Sequence, residues 1–198
     1  HFSKEGTLLS HQEKKYRGFI LVEETDPCGK VTRYSHDCFG RKIRQECEDT
    51  LITYAYDSLN RLAEERQHLG EDELVHRYSY DLLDRITEEK WEDSKGNLLR
   101  YIAKTYDPFG NIIAETNGTA VTYHEYDALD RLIKTIDPVG NTTTFTYGST
   151  ERNGHLVKTL TTIDPNGTTT FEIYNPRNKV KEKIVLSPSG ETLYTEHM

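Results

Sequence analysis

The sequence is poor in the residues that fill thick globular cores. Only 34% of its 198 residues are hydrophobic, and it contains a single methionine and a single tryptophan. This composition favours a sheet covered on one face over a deep, multilayer interior. The length fits one domain or a piece of a larger protein. Because residue 1 is not methionine, we expect a fragment.

The sequence also lacks an excess of positive charge and long apolar runs. Its net charge is −8, with acidic and basic residues interspersed, whereas a nucleic-acid-binding surface needs a basic stripe. No apolar run approaches the roughly 18–20 residues required to span a bilayer, and the N-terminus has no apolar stretch of the signal-peptide kind. We therefore expect no nucleic-acid partner and no membrane span, and these features leave the localisation of the fragment open.

Cysteine is scarce and poorly spaced for metal chemistry. The three cysteines, Cys28, Cys38 and Cys47, are separated by ten and nine residues, without the Cys-x-x-Cys pairs of a zinc site. Free thiols are expected, with at most one chance cross-strand pair, and no metal site. No phosphate-cradling Gly-rich loop and no Gly-x-Ser-x-Gly motif occur either, so no cofactor is predicted.

Tyrosine is abundant, with thirteen residues, and many of these stand in a recurring motif. In Tyr54–Leu62, two tyrosines flank a small residue and precede an aspartate, a turn and an Arg-Leu pair. The pattern returns at Tyr78–Ile86 and, with histidine for the first tyrosine, at His124–Leu132. An earlier copy, Tyr34–Arg41, has histidine for the second tyrosine, and a later copy, Thr105–Ile112, has asparagine for arginine. Internal repeats of this kind determine how the whole fold is interpreted.

Each copy predicts a β-hairpin. Aspartate suits the first position of a type I turn, and three residues later stands Asn, Asp or Gly, which tolerate a left-handed backbone. Proline directly after Asp107 and Asp137 supplies the φ angle of the second turn position. Tyrosines two residues apart, such as Tyr54 and Tyr56, lie on one face of a strand. We expect a type I turn closed by a left-handed residue with a bulge.

The residues expected to define the repeats are the tyrosines before each turn, the turn aspartates, the left-handed glycines and the arginines after the turn. They are Tyr34, Asp37, Arg41, Tyr54, Tyr56, Asp57, Arg61, Tyr78, Tyr80, Asp81, Arg85, Tyr106, Asp107, Gly110, Tyr126, Asp127, Arg131, Asp137 and Gly140. Acid and base straddle each bend and can pair. Asn111 and Asn141 replace the arginine while the motif persists, which predicts that the arginine is a helper.

No enzymatic activity is predicted for these repeated acids. They occupy equivalent turn positions, whereas a catalytic pair of carboxyl groups needs two unlike environments. The histidines His36 and His124 replace tyrosine at sheet positions and are interpreted as packing or edge residues. No catalytic, cofactor-binding or metal-binding residue is therefore assigned.

The repeats follow one another at nearly constant spacing. The aromatic or histidine before the turn acid falls at 36, 56, 80, 106 and 126, and Tyr147 continues the series before the pattern loosens. Steps of about twenty residues suffice for two strands and two tight turns, so about seven copies predict on the order of fourteen to sixteen strands. Leu62–Leu69 has a helical composition but is predicted to be strand, because its repeat neighbours are.

The predicted fold class is all-β, an array of antiparallel β-hairpins that forms a long, twisted, coiling sheet. Residues 26–198 are expected to make up this array as a single domain without a linker. Residues 1–25 are expected to be an irregular start or a preceding repeat.

The Tyr-Asp-x-x-Gly/Asn/Asp-Arg-Leu units, strongest from 31 to 147, resemble the YD repeats of the RHS family. That family includes bacterial polymorphic toxins, the BC component of Tc toxin complexes and the teneurins. The resemblance implies a sheet that spirals into a hollow shell, which encloses a toxic C-terminal polypeptide in bacterial members and forms a scaffold in teneurins. At this length the chain would be an arc of such a shell.

The resemblance also implies a non-catalytic segment that associates with the remainder of its own parent chain and with an enclosed C-terminal effector. The parent would be secreted or displayed on the cell surface. The Asp-Pro-x-Gly stretches at 107–110 and 137–140 lack the leucine of the family's self-cleavage motif, so autoproteolysis is not transferred to them. The alternative is that the Tyr-rich sheet is a binding or adhesion module for carbohydrate or protein surfaces.

A sheet cut from a longer array has unpaired strand edges. We expect the isolated chain to dimerise or aggregate through these edges unless charges and prolines blunt the ends. Light scattering over a range of protein concentrations tests this, and a strictly monomeric species at high concentration would contradict it.

Overall fold

The computed structural model describes residues 12–48, 50–152 and 154–198. All the regular secondary structure of these residues is β-strand, and the all-β class predicted from the repeats is confirmed. The chain divides into two compact units, His1–Ala103 and Lys104–Met198. The boundary falls inside a strand, at a place that the repeat pattern does not mark.

The described part of the chain contains no helix long and apolar enough to cross a membrane.

Unit 1 is a meander of hairpins in which each strand pairs antiparallel with the next along the chain. Its strands are β1 (Glu13–Arg17), β2 (Ile20–Thr25), β3 (Val31–His36), β4 (Lys42–Cys47), β5 (Thr50–Tyr56), β6 (Leu62–Leu69), β7 (Asp72–Tyr80), β8 (Ile86–Asp93) and the first part of β9 (Leu98–Tyr106). The predicted strand at Leu62–Leu69 is confirmed. Of the segment 1–25, residues 13–25 form the hairpin β1–β2, and residues 1–11 lie outside the described residues.

Unit 2 continues the same plan from the end of β9, again with consecutive antiparallel pairs. Its further strands are β10 (Ile112–Asn117), β11 (Ala120–Tyr126), β12 (Leu132–Ile136), β13 (Thr142–Arg152), β14 (His155–Ile163), β15 (Thr169–Tyr174), β16 (Val180–Leu186) and β17 (Thr192–His197). The described residues thus contain seventeen strands, more than the sequence predicts. The excess arises because the start and the loosely patterned last quarter are hairpins too.

The predicted bulges lie beside the turns. The pairing register shifts between Ala55 and Tyr56 where β5 meets β6, between Ser79 and Tyr80 where β7 meets β8, and before Tyr126 where β11 meets β12. One extra residue on one strand bends it and increases its twist. Tyr56, Tyr80 and Tyr126 therefore enter their turns from the same kind of local geometry.

The two faces of the sheet in unit 1 differ in chemistry. Because side chains alternate along a strand, tyrosines such as Tyr54 and Tyr78 lie on one face. The opposite face is charged, and there Arg77 bonds Glu64 at 3.0 Å and also pairs with Glu92. On this charged face Val75 is buried between cross-strand neighbours with long aliphatic stems.

Little of the described chain is buried. The buried hydrophobic side chains are those of Cys47, Val75, Ile173 and Val185. The burial of apolar area therefore contributes less here than in a layered domain of this size. Hydrogen bonds, cross-strand pairs and turn geometry must supply a larger share of the stability.

The left-handed turn positions provide a direct test of how far stability depends on turn geometry. Gly140 has a φ of +90°, and a Cβ added to it would meet no atom within 4 Å. The substitution Gly140→Ala therefore adds backbone strain without a clash, and we expect it to lower the free energy of unfolding by about 1 kcal/mol. Urea denaturation measures the difference.

The matched control for this experiment is Val139→Ala, at the neighbouring, exposed turn position. It should change the free energy of unfolding by less than about 0.5 kcal/mol. Equal stability of Gly140→Ala and the parent chain would show that the turn does not require a left-handed residue.

Candidate functional site

The feature that recurs throughout the structure is one turn geometry, which we call the acid turn and number from its first residue. In each acid turn the N–H of position 1 donates to the C=O of position 5, and the N–H of position 4 donates to the C=O of position 1. Position 4 has a positive φ between 56° and 100°. Within the described residues, acid turns start at Asp26, Asp37, Asp57, Asp81, Asp93, Asp107, Asp127, Asp137, Asp164, Asn175 and Ser187.

In the acid turns other than that of Asp164, the side chain of position 1 caps the turn. In the turn that starts at Asp57, Oδ1 accepts from the backbone N–H groups of Leu59 and Arg61, both at 2.9 Å. Oδ2 accepts from Nε of Arg61 at 2.7 Å. Both carboxylate oxygens are therefore engaged, and the aspartate stabilises the backbone of its own bend.

The ion pair across the turn is present wherever the sequence analysis placed one. The four aspartate–arginine pairs are Asp37–Arg41, Asp57–Arg61, Asp81–Arg85 and Asp127–Arg131. Asparagine replaces the arginine through its Nδ2, which donates to Oδ2 of the turn aspartate at 3.0 Å from Asn111 and 2.8 Å from Asn141. In these six turns the side chain of position 5 donates to the turn acid, and the donor need not be charged.

Such hydrogen bonds lower the pKa of the turn carboxylates of Asp57, Asp93 and Asp127. At Asp57 the largest cause of the lowered pKa is the hydrogen bond from the backbone N–H of Arg61. At Asp127 and Asp93 it is the hydrogen bond from the side chain of Arg131 and of Asn97, respectively. A carboxylate held in its charged form is a structural acceptor and a poor proton acceptor.

Position 5 also reaches the next acid turn on the same edge of its unit, an arrangement that we call the turn staple. Nη1 of Arg41 donates to Oδ1 of Asn60 at 2.7 Å, and Nη1 of Arg61 donates to Oδ1 of Asp84 at 2.8 Å. In unit 2, Nδ2 of Asn111 donates to Oδ1 of Asp130 at 3.0 Å. The acceptor in each staple is the left-handed residue at position 4.

The repeat tyrosine completes the staple by lying under the preceding arginine. Cζ of Arg41 is 4.5 Å from the ring centroid of Tyr56, and Cζ of Arg61 is 4.6 Å from that of Tyr80. In unit 2 the corresponding distance from Arg131 to Tyr147 is 4.4 Å. A guanidinium over an aromatic face is a favourable cation–π arrangement.

The tyrosine hydroxyl donates a hydrogen bond to the backbone of the neighbouring hairpin. The hydroxyl of Tyr80 donates to the backbone carbonyl of Leu62 at 2.7 Å, and that of Tyr56 to the carbonyl of Lys42 at 2.7 Å. In unit 2, the hydroxyl of Tyr126 donates to the carbonyl of Ile112 at 3.1 Å. The cation–π contact of the ring and the hydrogen bond of the hydroxyl therefore both link a hairpin to the one before it.

The first tyrosine of each pair lies further from the turn and has other partners. Lys42 lies over the rings of Tyr34 and Tyr54, with its Nζ 5.8 Å and 4.3 Å from their centroids. The Tyr78 ring contacts His76, with 4.0 Å between centroids. Burial is the largest cause that raises the pKa of Tyr78, to about 12.

The sequence analysis missed Asn60, Asp84 and Asp130 as acceptors of the turn staple. It treated them only as residues that tolerate a left-handed backbone. A signal was available, since each of them stands where glycine would meet the backbone requirement. A side chain at such a position has a second task, and here that task is to accept a hydrogen bond.

The cysteines and histidines form no metal centre in the described residues. No group of three or more His, Cys, Asp or Glu side chains there is placed to hold an ion. The cysteines are free thiols, and the hydroxyl of Thr32 donates to Sγ of Cys47 at 3.2 Å. Nδ1 of His124 lies 3.2 Å from Oγ1 of Thr135 on the adjacent strand.

Two stretches of the chain, residues 106–142 and 126–169, match the model of the RHS Repeat family. They include the acid turns that start at Asp107, Asp127 and Asp137. Residues 106–169 therefore carry RHS repeats. The predicted family is thereby confirmed, and the acid turn with its staple is the structural form of the repeat in this chain.

Solved structures of Tc toxins share the fold of the chain, among them a holotoxin pore and a crystal structure. A Tc holotoxin pore from Photorhabdus luminescens, which carries a TccC3 mutation, matches over 94% of the chain with 18% identity and a TM-score of 0.56. A TcdB2–TccC3–TEV crystal structure matches over 99% with 18% identity and a TM-score of 0.54. At this identity the likeness shows the fold alone. The chain spans 9% and 11% of the lengths of the chains that it matches in these two structures.

No curated protein is similar enough to be counted as a relative of the chain.

The pH dependence of stability tests the turn carboxylate. Because the pKa of Asp57 is lower in the folded chain, its contribution to stability is present above its unfolded pKa of about 3.9 and is lost as the pH falls through the folded value. Asp57→Asn keeps the backbone acceptor, as Asn175 does in its own turn, but has no charge to lose. We expect the variant to lose less stability below about pH 4 than the parent chain.

Urea denaturation at a series of pH values measures this effect. Asp57→Ala, which removes the acceptor as well, should be less stable than Asp57→Asn at every pH. The exposed Asp72 provides the control, since Asp72→Asn removes a carboxylate that lies outside every acid turn. Identical acid profiles for Asp57→Asn and the parent chain would contradict the role of the charge.

Proposed function

We propose that the chain is a structural, non-catalytic segment of an RHS-repeat shell whose parent protein encloses or presents a C-terminal toxic effector. The observation that carries this proposal is the turn staple, which joins successive hairpins through side chains of the repeat itself. The staple uses the residues that stand out in the sequence: the turn acid, the arginine and the tyrosine. Such an arrangement suits a continuous wall.

The polar groups of the repeat residues already take part in hydrogen bonds within the sheet, and this supports a structural role over a catalytic one. Both oxygens of the Asp57 carboxylate accept hydrogen bonds from its own turn, two at Oδ1 and one at Oδ2. The hydroxyls of Tyr56 and Tyr80 donate to backbone carbonyls. A general base needs a free acceptor within reach of its substrate, and these groups are already engaged.

Exposed apolar residues at the turns support association with the remainder of a parent chain. On the edge of Asp37 in unit 1 and the edge of Asp107 in unit 2, position 3 of five acid turns carries an apolar side chain that is 62–82% exposed: Phe39, Leu59 and Leu83 in unit 1, and Phe109 and Leu129 in unit 2. Within each unit these residues follow one edge, because alternate turns of an antiparallel meander lie on the same edge. Grouped exposed apolar side chains are typical of surfaces that other protein covers.

The shared fold with Tc toxin structures supports the shell as the larger assembly. The chain would form an arc of its wall, with residues 26–198 as the repeat array, in a parent that is secreted or displayed at the cell surface. The alternative, a Tyr-rich platform for carbohydrate or protein surfaces, has support only from tyrosines outside the staples, such as Tyr16 and Tyr123, which are 57% and 52% exposed. The stapled tyrosines do not offer their hydroxyls to a ligand.

Limited proteolysis of the full-length parent protein tests enclosure. We expect its C-terminal segment to resist cleavage while the repeats are folded and to be cleaved rapidly once they are unfolded by urea. The double variant Arg41→Gln, Arg61→Gln removes two staples in unit 1 and should allow faster cleavage. The matched control is Arg44→Gln, because Arg44 is an exposed arginine whose partner is Glu46, outside any staple.

The proposal fails if the C-terminal segment of the folded parent is cleaved as fast as that of the unfolded parent. If the segment is protected but the double variant behaves like the control, the shell stands and the staples are not what holds it closed.

A further inference from the structure

The row of acid turns on one edge of unit 2 is interrupted after Tyr147. Gly148 occupies the place of the turn acid, and β13 runs on to Arg152, which pairs with His155 of β14. A Cβ on Gly148 would lie 3.1 Å from Oγ1 of Thr159, so glycine permits the close approach of the two strands here. The long β13–β14 hairpin therefore stands on this edge between the acid turns of Asp127 and Asn175, where the repeat would place another acid turn.

This interruption leaves the staple of Arg131 incomplete. Like its counterparts, Arg131 binds its own turn acid, with Nε 2.7 Å and Nη2 2.5 Å from Oδ2 of Asp127, and it lies over the ring of Tyr147. In unit 1 the remaining nitrogen, Nη1, donates to position 4 of the next turn. Among the residues that the structure describes, Nη1 of Arg131 has no such acceptor, and its side chain is 43% exposed.

A cavity of about 310 Å³ lies at this place, lined in part by Arg131, Lys158 and Asn178, with the rings of Tyr147 and Tyr174 also bordering it. Nζ of Lys158 donates to Oδ1 of Asn178 at 3.1 Å. Asn178 is position 4 of the Asn175 turn, so Lys158 does for that turn what a staple arginine does elsewhere. An ammonium group has three N–H donors, and this bond uses one of them.

The cavity therefore brings together two cationic side chains that have unused donors. The nearby carboxylate of Glu172 is already engaged, because it accepts from the hydroxyl of Tyr174 at 2.7 Å, and it does not line the cavity. Burial is the largest cause that raises the pKa of Tyr174, to about 12, so this hydroxyl stays protonated at neutral pH.

We propose that this cavity, the turn-gap pocket, binds a carboxylate group. The ligand is inferred from the molecule's own pattern: where the row is intact, the oxygen that meets Nη1 of the arginine belongs to the side chain of Asn60 or Asp84. A bound carboxylate would replace that missing oxygen at Arg131, and Lys158 would neutralise its charge. Charge-assisted hydrogen bonds of this kind are stronger than neutral ones. The proposal is independent of shell formation.

The carboxylate has two sources, a small free acid or an acidic side chain of a polypeptide. Titration of the ¹⁵N-labelled chain at constant ionic strength, with the Nε–H signal of Arg131 as the readout, distinguishes them. The probes are sodium acetate, a capped dipeptide that contains aspartate, its asparagine counterpart, and inorganic phosphate. Saturable shifts with acetate and the aspartate peptide support a general carboxylate site. Saturation with the aspartate peptide alone supports a site for an acidic segment.

Arg131 also stabilises the Asp127 turn, so its replacement could disturb folding. Two variants at other residues of the cavity test binding without that effect. Lys158→Gln should weaken carboxylate binding by about tenfold. Asn178→Asp supplies the residue type found at the same turn position in Asp84 and Asp130, so the turn is kept. Its new carboxylate competes for Lys158 and repels an anionic ligand, and saturable binding should be lost. Lys134→Gln is the control, because Lys134 pairs with Glu125 and does not line the cavity.

The proposal is overturned if no probe gives a saturable shift, if phosphate alone does, or if the asparagine peptide binds as well as the aspartate peptide. It is also overturned if Lys158→Gln and Asn178→Asp bind carboxylates as the parent chain does.

Discussion

The hydrogen bonds that the turn carboxylate accepts fix where each hairpin bends, and the other features of the sheet depend on that position. Since side chains alternate along a strand, a bend displaced by one residue would move every tyrosine of the next strand to the opposite face. At Asp57 the two backbone N–H donors and the Arg61 side chain leave the carboxylate one arrangement that satisfies all of them. The same contacts direct the arginine towards the next turn, so one local structure also determines the link to its neighbour.

This dependence accounts for the unusual composition. With few buried hydrophobic side chains, the sheet cannot rely on a deep core, and the energy of association between hairpins must come from contacts within a single layer. Tyrosine suits that task because its ring provides apolar area and a cation–π surface while its hydroxyl reaches a backbone carbonyl. Leucine would supply the area and none of the polar contacts. A low hydrophobic fraction and thirteen tyrosines are therefore two results of the same constraint.

What could be predicted from the sequence was the part encoded within a few residues. The turn acid, the left-handed residue and the alternating tyrosines lie within about eight residues, and the hairpins, the bulges and the strand Leu62–Leu69 follow from them. The staples were missed because Arg41 and Asn60 are 19 residues apart, and Arg61 and Asp84 are 23 apart. Their contact depends on which turns share an edge, and that is known only once the strands are paired. The division at Ala103 falls within a strand and has no local signal at all.

Repetition constrains chemistry as well as structure. In an intact repeat, each donor meets the acceptor that the next copy supplies, so groups that could bind a ligand are consumed by neighbours. Side-chain donors without a partner in the next copy are expected only where the repeat is interrupted, and Gly148, in place of a turn acid, marks such an interruption. There the longer hairpin also brings Arg152 to Glu182, at 2.8 Å, and leaves the Glu182 side chain only 11% exposed. The loss of one turn acid is thus accompanied by a new ion pair in one place and, within the described part of the chain, by a guanidinium nitrogen without a staple acceptor in another. In a chain built from equivalent hairpins, the position that departs from the repeat is where a specific binding property can arise.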